Sequence, residues 1–115
     1  VVDTASLLAA LAAGKVKDAI IDTWEYEPNN SRELLEVDFL ATPHIAGYSA
    51  DGKANATRMS LEALCRHFGI EADFSILPPE GPTDYDPTRD SEWLKAAPGK
   101  FEWFRGNYPL RRESK

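Results

Sequence analysis

The sequence has little of three features that decide protein class. A single cysteine, Cys65, excludes an internal disulfide and any multi-cysteine metal site, and it fits a reducing compartment such as the cytoplasm. The 13 lysines and arginines are outnumbered by 19 acidic residues, so nucleic acid is not an expected partner, because phosphate binding needs clustered cations. No apolar run approaches the roughly 20 residues that span a bilayer, so no membrane association is expected.

The chain also lacks a start that is typical of an independent protein. Its 115 residues suit one domain, or a small domain with a tail, and 43% hydrophobic residues can supply a core. It begins Val1, Val2, Asp3, with neither an initiator methionine nor a basic leader. We therefore expect a piece of a longer protein.

Proline is scarce in the first part of the chain and concentrated in the second. Residues 1–70 hold two of the eight prolines, and the shorter remainder holds six. Because proline interrupts helices and ladders, the composition predicts a regular part, residues 1–69, and an irregular tail, residues 70–115.

Two helices and, over residues 31–35, one helical turn are expected in the first part. One helix begins near Asp3 or Thr4, either of which can cap it, and ends at Gly14. The other runs from about 50 to 68, with Ser49 or Asp51 as its candidate cap and Gly69 as its end. Its expected buried positions are Ala54, Met59, Leu61, Leu64, Cys65 and Phe68.

Two short apolar runs, residues 19–21 and 39–41, are expected to form buried strands. Their alternation with helices predicts an α/β fold with a parallel sheet covered by helices. Two strands cannot complete such a sheet. The sequence therefore predicts the C-terminal part of a Rossmann-like, doubly wound parallel sheet, followed by a proline- and aromatic-rich tail.

The tail is expected to contain a short helix over residues 91–97 with Asp90 as its cap. Seven of the twelve aromatic residues lie in it, with too few aliphatic neighbours to bury them. We therefore expect the tail to pack against another surface. Arg111 and Arg112 are expected to be a solvated pair that can bridge subunits.

Polar side chains follow both expected strands. Asp22 and Glu27 come after the first, and His44 comes after the second. Because ligands bind beyond the carboxyl ends of parallel strands, these groups can meet in one crevice. Glu27 would then fix the tautomer of His44 and leave its other ring nitrogen free to exchange a proton. The alternative is that Glu27 is an ordinary loop carboxylate and His44 a partly buried, satisfied histidine.

Two motifs carry a resemblance to a known family. The run IIDTWEYEP at residues 20–28, followed by ATPHIAG at residues 41–47, resembles the paired D-V-x-x-x-E-P and T-P-H-I-x-G motifs of the NAD-dependent D-isomer-specific 2-hydroxyacid dehydrogenases. Val1, Val2 and Asp3 are similar to the end of that family's R-G-x-x-V-D segment. The resemblance covers residues 1–69 and implies an NAD-binding Rossmann domain there, with residues 50–68 as its crossover helix.

The resemblance also implies roles for four residues. His44 would be the acid/base that takes the hydroxyl proton while hydride passes to NAD, and Glu27 would orient it. Asp22 would contact the carboxamide side of the nicotinamide, and Gly47 would let the backbone approach the cofactor or substrate. No metal is implied. The family's glycine-rich pyrophosphate turn and its substrate-binding arginine are absent, so this chain alone is expected to be inactive.

Residues 47–53 and 107–113 are similar to one branch of the family, which acts on a phosphorylated hydroxy acid. In that branch a C-terminal segment mediates dimerisation, so residues 70–115 are expected to form a homodimer contact. Two alternatives remain open. The chain can be a non-catalytic dimerisation module derived from a Rossmann domain, or part of another D-2-hydroxyacid dehydrogenase.

Overall fold

The computed structural model describes residues 2–113, so the predicted motif position of Val1 lies outside the described residues. In chain order the regular elements are α1 (Thr4–Ala12), β1 (Ile20–Ile21), α2 (Arg32–Val37), β2 (Leu40–Ala41), α3 (Ala50–Phe68), α4 (Pro87–Ala96), a 3-10 turn (Pro98–Lys100) and α5 (Phe101–Gly106).

The chain divides into two compact units. The first contains the described residues up to Ala46 together with Asp86–Tyr108, and the second contains Gly47–Tyr85 together with the described residues from Pro109 onward. Each unit thus combines residues from both parts of the sequence. The assignment of residues 1–69 to a nucleotide-binding domain and of 70–115 to a dimerisation segment stays a prediction.

β1 and β2 of the first unit form a two-stranded parallel sheet. Ile20 pairs with Leu40, and Ile21 pairs with Ala41. Parallel strands need a crossover between them, and α2 lies in that crossover. This arrangement confirms the predicted α/β class and is consistent with part of a Rossmann-like domain.

Local caps set the helices that flank the sheet. Asp3 accepts a hydrogen bond from the Ser6 amide at 2.7 Å, which starts α1. Hydrogen bonding from the Ser6 side chain, and then from its amide, lowers the pKa of the Asp3 carboxyl. Ser31 caps α2 by accepting from the Leu34 amide at 3.2 Å. The core of the unit contains Trp24, Leu34, Leu35, Ala41, Leu94 and Phe101, with Leu7, Leu8, Leu11, Ile21 and Phe104 packed against it.

The strands are less buried than the sequence predicts. Within the strands, Ile20 is 70% exposed, whereas Ala41 is fully buried; Phe39, just before β2 and also predicted to be buried, is 62% exposed. Because successive strand side chains point to opposite faces, the two described strands cover one face of the sheet and leave the other open. The prediction of fully buried strands is therefore wrong for the face that carries Ile20.

α4 packs against β2 in the first unit. The helix begins at Pro87 with Asp86 as its cap, one turn earlier than the predicted cap at Asp90. Proline is well tolerated at the first helical position, where no amide partner is needed, so Pro87 starts this helix. The buried Ser91 hydroxyl accepts a hydrogen bond from the Ala41 amide at 3.0 Å and so satisfies the outer edge of β2.

A charged pair also joins α4 to the end of α2. The Lys95 ammonium donates to the Asp38 carbonyl at 2.6 Å and lies 3.1 Å from the carboxylate Oδ1. The Asp38 side chain has no exposed surface, and within residues 2–113 its carboxylate oxygens have no hydrogen-bond partner other than Lys95. Burial raises the pKa of Asp38, and the nearby Lys95 only partly opposes that effect.

The second unit is built on α3. Of the two candidate caps, Ser49 is the one that caps its start, and Gly69, at φ +65°, ends it as the sequence predicts. Cys65 is buried, but Met59, Leu64 and Phe68 are more than half exposed, so the predicted burial is wrong at these three positions. None of the described helices is both long and apolar enough to cross a membrane.

The prediction for Arg112 is also wrong. Its guanidinium is not a free, solvated group but forms a bidentate pair with Asp51, 61 residues earlier in the sequence, at 2.9 Å for both contacts. Arg111 differs from it, because its guanidinium lies over the Tyr85 ring at 4.5 Å from the centroid.

Candidate active site

The site in the first unit lies at the carboxyl ends of β1 and β2. Because the strands are parallel and paired in register, residues 22–27 and 42–46 leave the sheet at the same edge. The ladder extends one residue further, since the Thr42 amide donates to the Ile21 carbonyl at 2.9 Å. The topology therefore brings the two loops that carry the motif residues together.

Asp22 joins the two loops. Its Oδ1 accepts from the Thr42 hydroxyl at 2.7 Å and from the Ile45 amide at 2.8 Å, and its Oδ2 accepts from the Ala46 amide at 3.1 Å. These bonds fold the loop after β2 back onto the end of β1. A carboxylate has about four acceptor positions, so Oδ2 keeps one for a further donor.

Trp24 is a second connection between the loops. Its side chain is buried, and the indole N–H donates to the Thr42 carbonyl at 3.0 Å. The sequence alone does not single out Trp24. The signal that could have found it is an aromatic residue with a polar N–H just after a strand end.

Glu27 and His44 are in contact. Glu27 Oε2 lies 2.8 Å from His44 Nδ1, and Oε1 lies 3.1 Å from the same nitrogen. Oε1 also accepts from the Trp24 amide at 2.8 Å, which holds the carboxylate in place. The Glu27 side chain is 20% exposed and that of His44 is 41% exposed, so the imidazole has access to solvent.

The contact with Glu27 sets which ring nitrogen of His44 carries the proton. A carboxylate can only accept, so Nδ1 carries the proton and donates to Glu27. Nε2 of a neutral His44 is then an acceptor, and it has no hydrogen-bond partner among residues 2–113. The arrangement thus presents one unoccupied base on a ring whose tautomer is fixed.

The backbone of His44 adopts an uncommon conformation. Its φ is +55°, in the left-handed region that side chains other than glycine rarely adopt. Two groups hold this geometry: Glu27 on the ring, and Arg105 of α5, whose Nε donates to the His44 carbonyl at 3.4 Å. A strained backbone conformation of this kind persists only where several surrounding contacts hold it in place. The sequence gives no signal for the Arg105 contact.

Gly47, the fourth motif residue, belongs to the second unit. A Cβ built on Gly47 would have no neighbour within 4 Å, and its φ is not in the left-handed region. Neither packing nor conformation within the described residues therefore requires glycine there. The space beside its backbone is open to a ligand.

The described part of the chain offers no group of three or more His, Cys, Asp or Glu residues that could hold a metal. Cys65, a free thiol, is buried in the second unit. The polar side chains that the first unit brings together at the strand ends are those of Asp22, Glu27, Thr42 and His44.

Comparisons with known proteins agree with the motifs. Residues 1–46 match the family model described as D-isomer specific 2-hydroxyacid dehydrogenase, NAD binding domain. The match confirms the predicted family and its cofactor, NAD.

Several curated relatives share the name erythronate-4-phosphate dehydrogenase. The chain is 57% identical to the one from Bacteroides fragilis over 127 residues, which cover 98% of the chain and 36% of the relative. It is 50% identical to that of Bacteroides thetaiotaomicron, and the match covers 100% of the chain and 37% of the relative. It is 39% identical to that of Porphyromonas gingivalis, with the same coverage. The chain thus spans just over a third of the length of the curated relatives it matches. Residues 1–46 belong to the NAD-binding domain of the D-isomer specific 2-hydroxyacid dehydrogenase family.

Proposed function

We propose that this chain is part of an NAD-dependent dehydrogenase that oxidises the 2-hydroxyl group of 4-phospho-D-erythronate to the 2-oxo acid, a step of pyridoxal phosphate (vitamin B6) biosynthesis. The support for this substrate is the name shared by the relatives, together with 57% identity over 98% of the chain. The support for the chemistry is the geometry of the first unit.

The single observation that carries the proposal is the contact between Glu27 and His44, with Nε2 of the ring unoccupied among the described residues. Oxidation of a secondary alcohol removes a hydride from carbon and a proton from oxygen. His44 Nε2 takes the hydroxyl proton, and the carboxylate of Glu27 stabilises the imidazolium that results. The reverse reduction returns the same proton to the new hydroxyl.

NAD, when bound, accepts the hydride at its nicotinamide ring. Two residues of this chain fit such a ligand. Asp22 Oδ2 keeps an acceptor position that suits a carboxamide N–H, and Gly47 leaves room for close approach of a ring to the backbone. His44 and Glu27 are proposed as catalytic residues, and Asp22 and Gly47 as cofactor-binding residues.

Further parts of the proposal concern the assembly and the setting. The chain alone is expected to be inactive, because its sequence contains neither the glycine-rich turn nor the substrate-binding arginine of the family. Residues 70–115 are proposed as a homodimer contact, and the cytoplasm as the compartment, where Cys65 remains a free thiol.

The test uses the full-length protein that carries this segment. The change His44→Asn should lower kcat by about 10²- to 10⁴-fold, the range that general acid–base catalysis contributes, with NAD affinity within about threefold of wild type. The change Glu27→Gln should lower kcat less, because the ring keeps a hydrogen-bond partner. NADH formation from 4-phospho-D-erythronate at 340 nm gives kcat, and fluorescence quenching gives NAD affinity.

The sequence supplies a matched control, since it contains two histidines. His67 lies on the exposed surface of α3, with its ring against Phe68, and His67→Asn should leave kcat unchanged. A kcat for His44→Asn close to that of His67→Asn would contradict the acid/base assignment. A full-length protein that turns over other 2-hydroxy acids but not this substrate would point to another member of the family. A full-length protein without any dehydrogenase activity would favour a non-catalytic module.

A further inference from the structure

The second unit contains a dense set of polar contacts that the proposed chemistry does not use. They join residues 109–113 to the first turn of α3, and we call this set the clasp: Ser49, Ala50, Asp51, Arg111, Arg112 and Glu113. We propose that the clasp is a positioning device for the proposed cofactor-binding Gly47, with Arg112 and Glu113 as its positioning residues. This inference rests on the proposed function.

Arg112 is the strongest contact of the clasp. Its Nε and Nη2 each lie 2.9 Å from one carboxylate oxygen of Asp51, a bidentate geometry that fixes both position and orientation. The Glu113 amide donates to the same carboxylate at 2.8 Å. These donors hold the pKa of Asp51 at about 2, so the carboxylate stays ionised at neutral pH.

The backbone strengthens the same connection. The Ala50 amide, one of the amides of the first turn of α3 without a partner in the helix, donates to the Arg111 carbonyl at 2.8 Å. The Arg112 amide donates to the Pro82 carbonyl. The segment is thus held by hydrogen bonds of its own backbone as well as by side chains.

Ser49, the cap of α3, joins Glu113 to the first turn of the helix. Its hydroxyl accepts from the Gly52 amide at 2.9 Å and donates to Glu113 Oε1 at 2.7 Å. One hydroxyl proton serves the second bond, so Glu113 sets the orientation in which the oxygen caps the helix. Ser49 is fully buried, so loss of either partner leaves its hydroxyl away from water.

Gly52, in the first turn of α3, lies next to the Gly47 backbone. A Cβ at Gly52 would lie 3.0 Å from the Ser49 hydroxyl oxygen and 3.3 Å from the Gly47 carbonyl oxygen. The Gly47 carbonyl therefore packs directly on the first turn of α3, without an intervening side chain. Because the clasp fixes this turn, it fixes the Gly47 backbone, whose other side is open to a ligand.

The experiment measures NAD affinity and kcat separately in the full-length protein. The change Arg112→Ala should raise the Kd for NAD about tenfold while kcat at saturating NAD stays within about threefold, since the acid/base pair is untouched. Arg112→Lys should restore part of the affinity because it returns the charge without the bidentate geometry. Glu113→Ala removes a single side-chain contact, so it gives a milder test if Arg112→Ala folds poorly.

The matched control is Arg58→Ala, on α3 of the same unit. It removes a partly exposed ion pair with Glu62 and no contact of the clasp, so Kd should change less than twofold. A general loss of structure would lower kcat and NAD affinity together.

Equal Kd values for Arg112→Ala and Arg58→Ala, or a fall in kcat as large as the rise in Kd, would overturn the positioning role alone. NAD binding that depends on Arg112 in a protein without turnover of the proposed substrate would support the clasp and contradict the proposed substrate. A wild-type protein that does not bind NAD would overturn both.

Discussion

The change Lys95→Met tests how the first unit tolerates a buried carboxylate. Asp38 has no exposed side-chain surface, and Lys95 is the cation beside it, at 3.1 Å from Oδ1. Without Lys95 the carboxylate must remain charged in an apolar environment or take up a proton. For a group with an ordinary pKa of 3.8, protonation at pH 7 costs about 4 kcal/mol, which is the ceiling of the penalty.

Part of that penalty is already present, because burial raises the pKa of Asp38 in the wild type. The variant also loses the charged hydrogen bond from Lys95 to the Asp38 carbonyl. Because the Lys95 side chain is 31% exposed, water screens this bond and its contribution to stability is small. We therefore expect Lys95→Met to lower the free energy of unfolding by about 2–4 kcal/mol at pH 7.

The pH dependence identifies the cause. An acid whose pKa is raised by folding carries no penalty below its unfolded pKa of 3.8, and the penalty grows as the pH rises through the folded value. The deficit of Lys95→Met should therefore shrink between pH 7 and pH 4 and leave only the share of the lost hydrogen bond to the carbonyl.

Urea unfolding followed by tryptophan fluorescence measures this, with the buried Trp24 as a probe in the same unit. The exposed Lys17→Met is the control and should change stability by less than about 0.5 kcal/mol. Adding Asp38→Asn to Lys95→Met should recover most of the loss. An equal deficit at pH 4 and pH 7, or no recovery with Asp38→Asn, would refute the reasoning.

Three further predictions concern single contacts. Ser91→Ala leaves the buried Ala41 amide without its acceptor and should lower stability by about 1–3 kcal/mol in the same urea assay. Gly106→Ala should raise thermal stability slightly, since nothing lies within 4 Å of the new Cβ. Gly52→Ala should lower thermal stability, because its Cβ would lie close to two oxygens. A change of thermal stability in the same direction for both variants would contradict the packing at the start of α3. The pKa of Asp51 is lowered from 3.8 to about 2, so its contribution to stability is complete above about pH 4 and is lost as the pH falls through 2. In acid unfolding, wild type should therefore be more stable than Arg112→Ala above pH 4, and the two stabilities should converge near pH 2.

Local signals account for what the sequence predicts well. Asp3, Ser49 and Gly69 fix helix ends through bonds or backbone angles within a few residues, so the bounds of α1 and α3 follow from the chain itself. The meeting of Glu27 and His44 is predictable for another reason. Both follow parallel strands, and the rule about strand ends places them at one edge.

Contacts between distant residues account for what it misses. Ser91 is 50 residues from Ala41, and Arg112 is 61 residues from Asp51, so no periodicity or cap pattern indicates either bond. Pro87 shows a different failure, since proline marks both linkers and helix starts. Pro87 starts a helix here because Leu94, further along α4, packs in the core, and that packing is not visible in the local sequence.

Trp24 makes two hydrogen bonds that report on different events. Its backbone amide donates to Glu27 Oε1, and its indole N–H donates to the Thr42 carbonyl. In a nitrogen–proton correlation spectrum the amide signal should move when the charge of the Glu27–His44 pair changes. The indole signal should move instead when the loop after β2 shifts. One residue thus provides separate spectroscopic markers for proton transfer and for loop position.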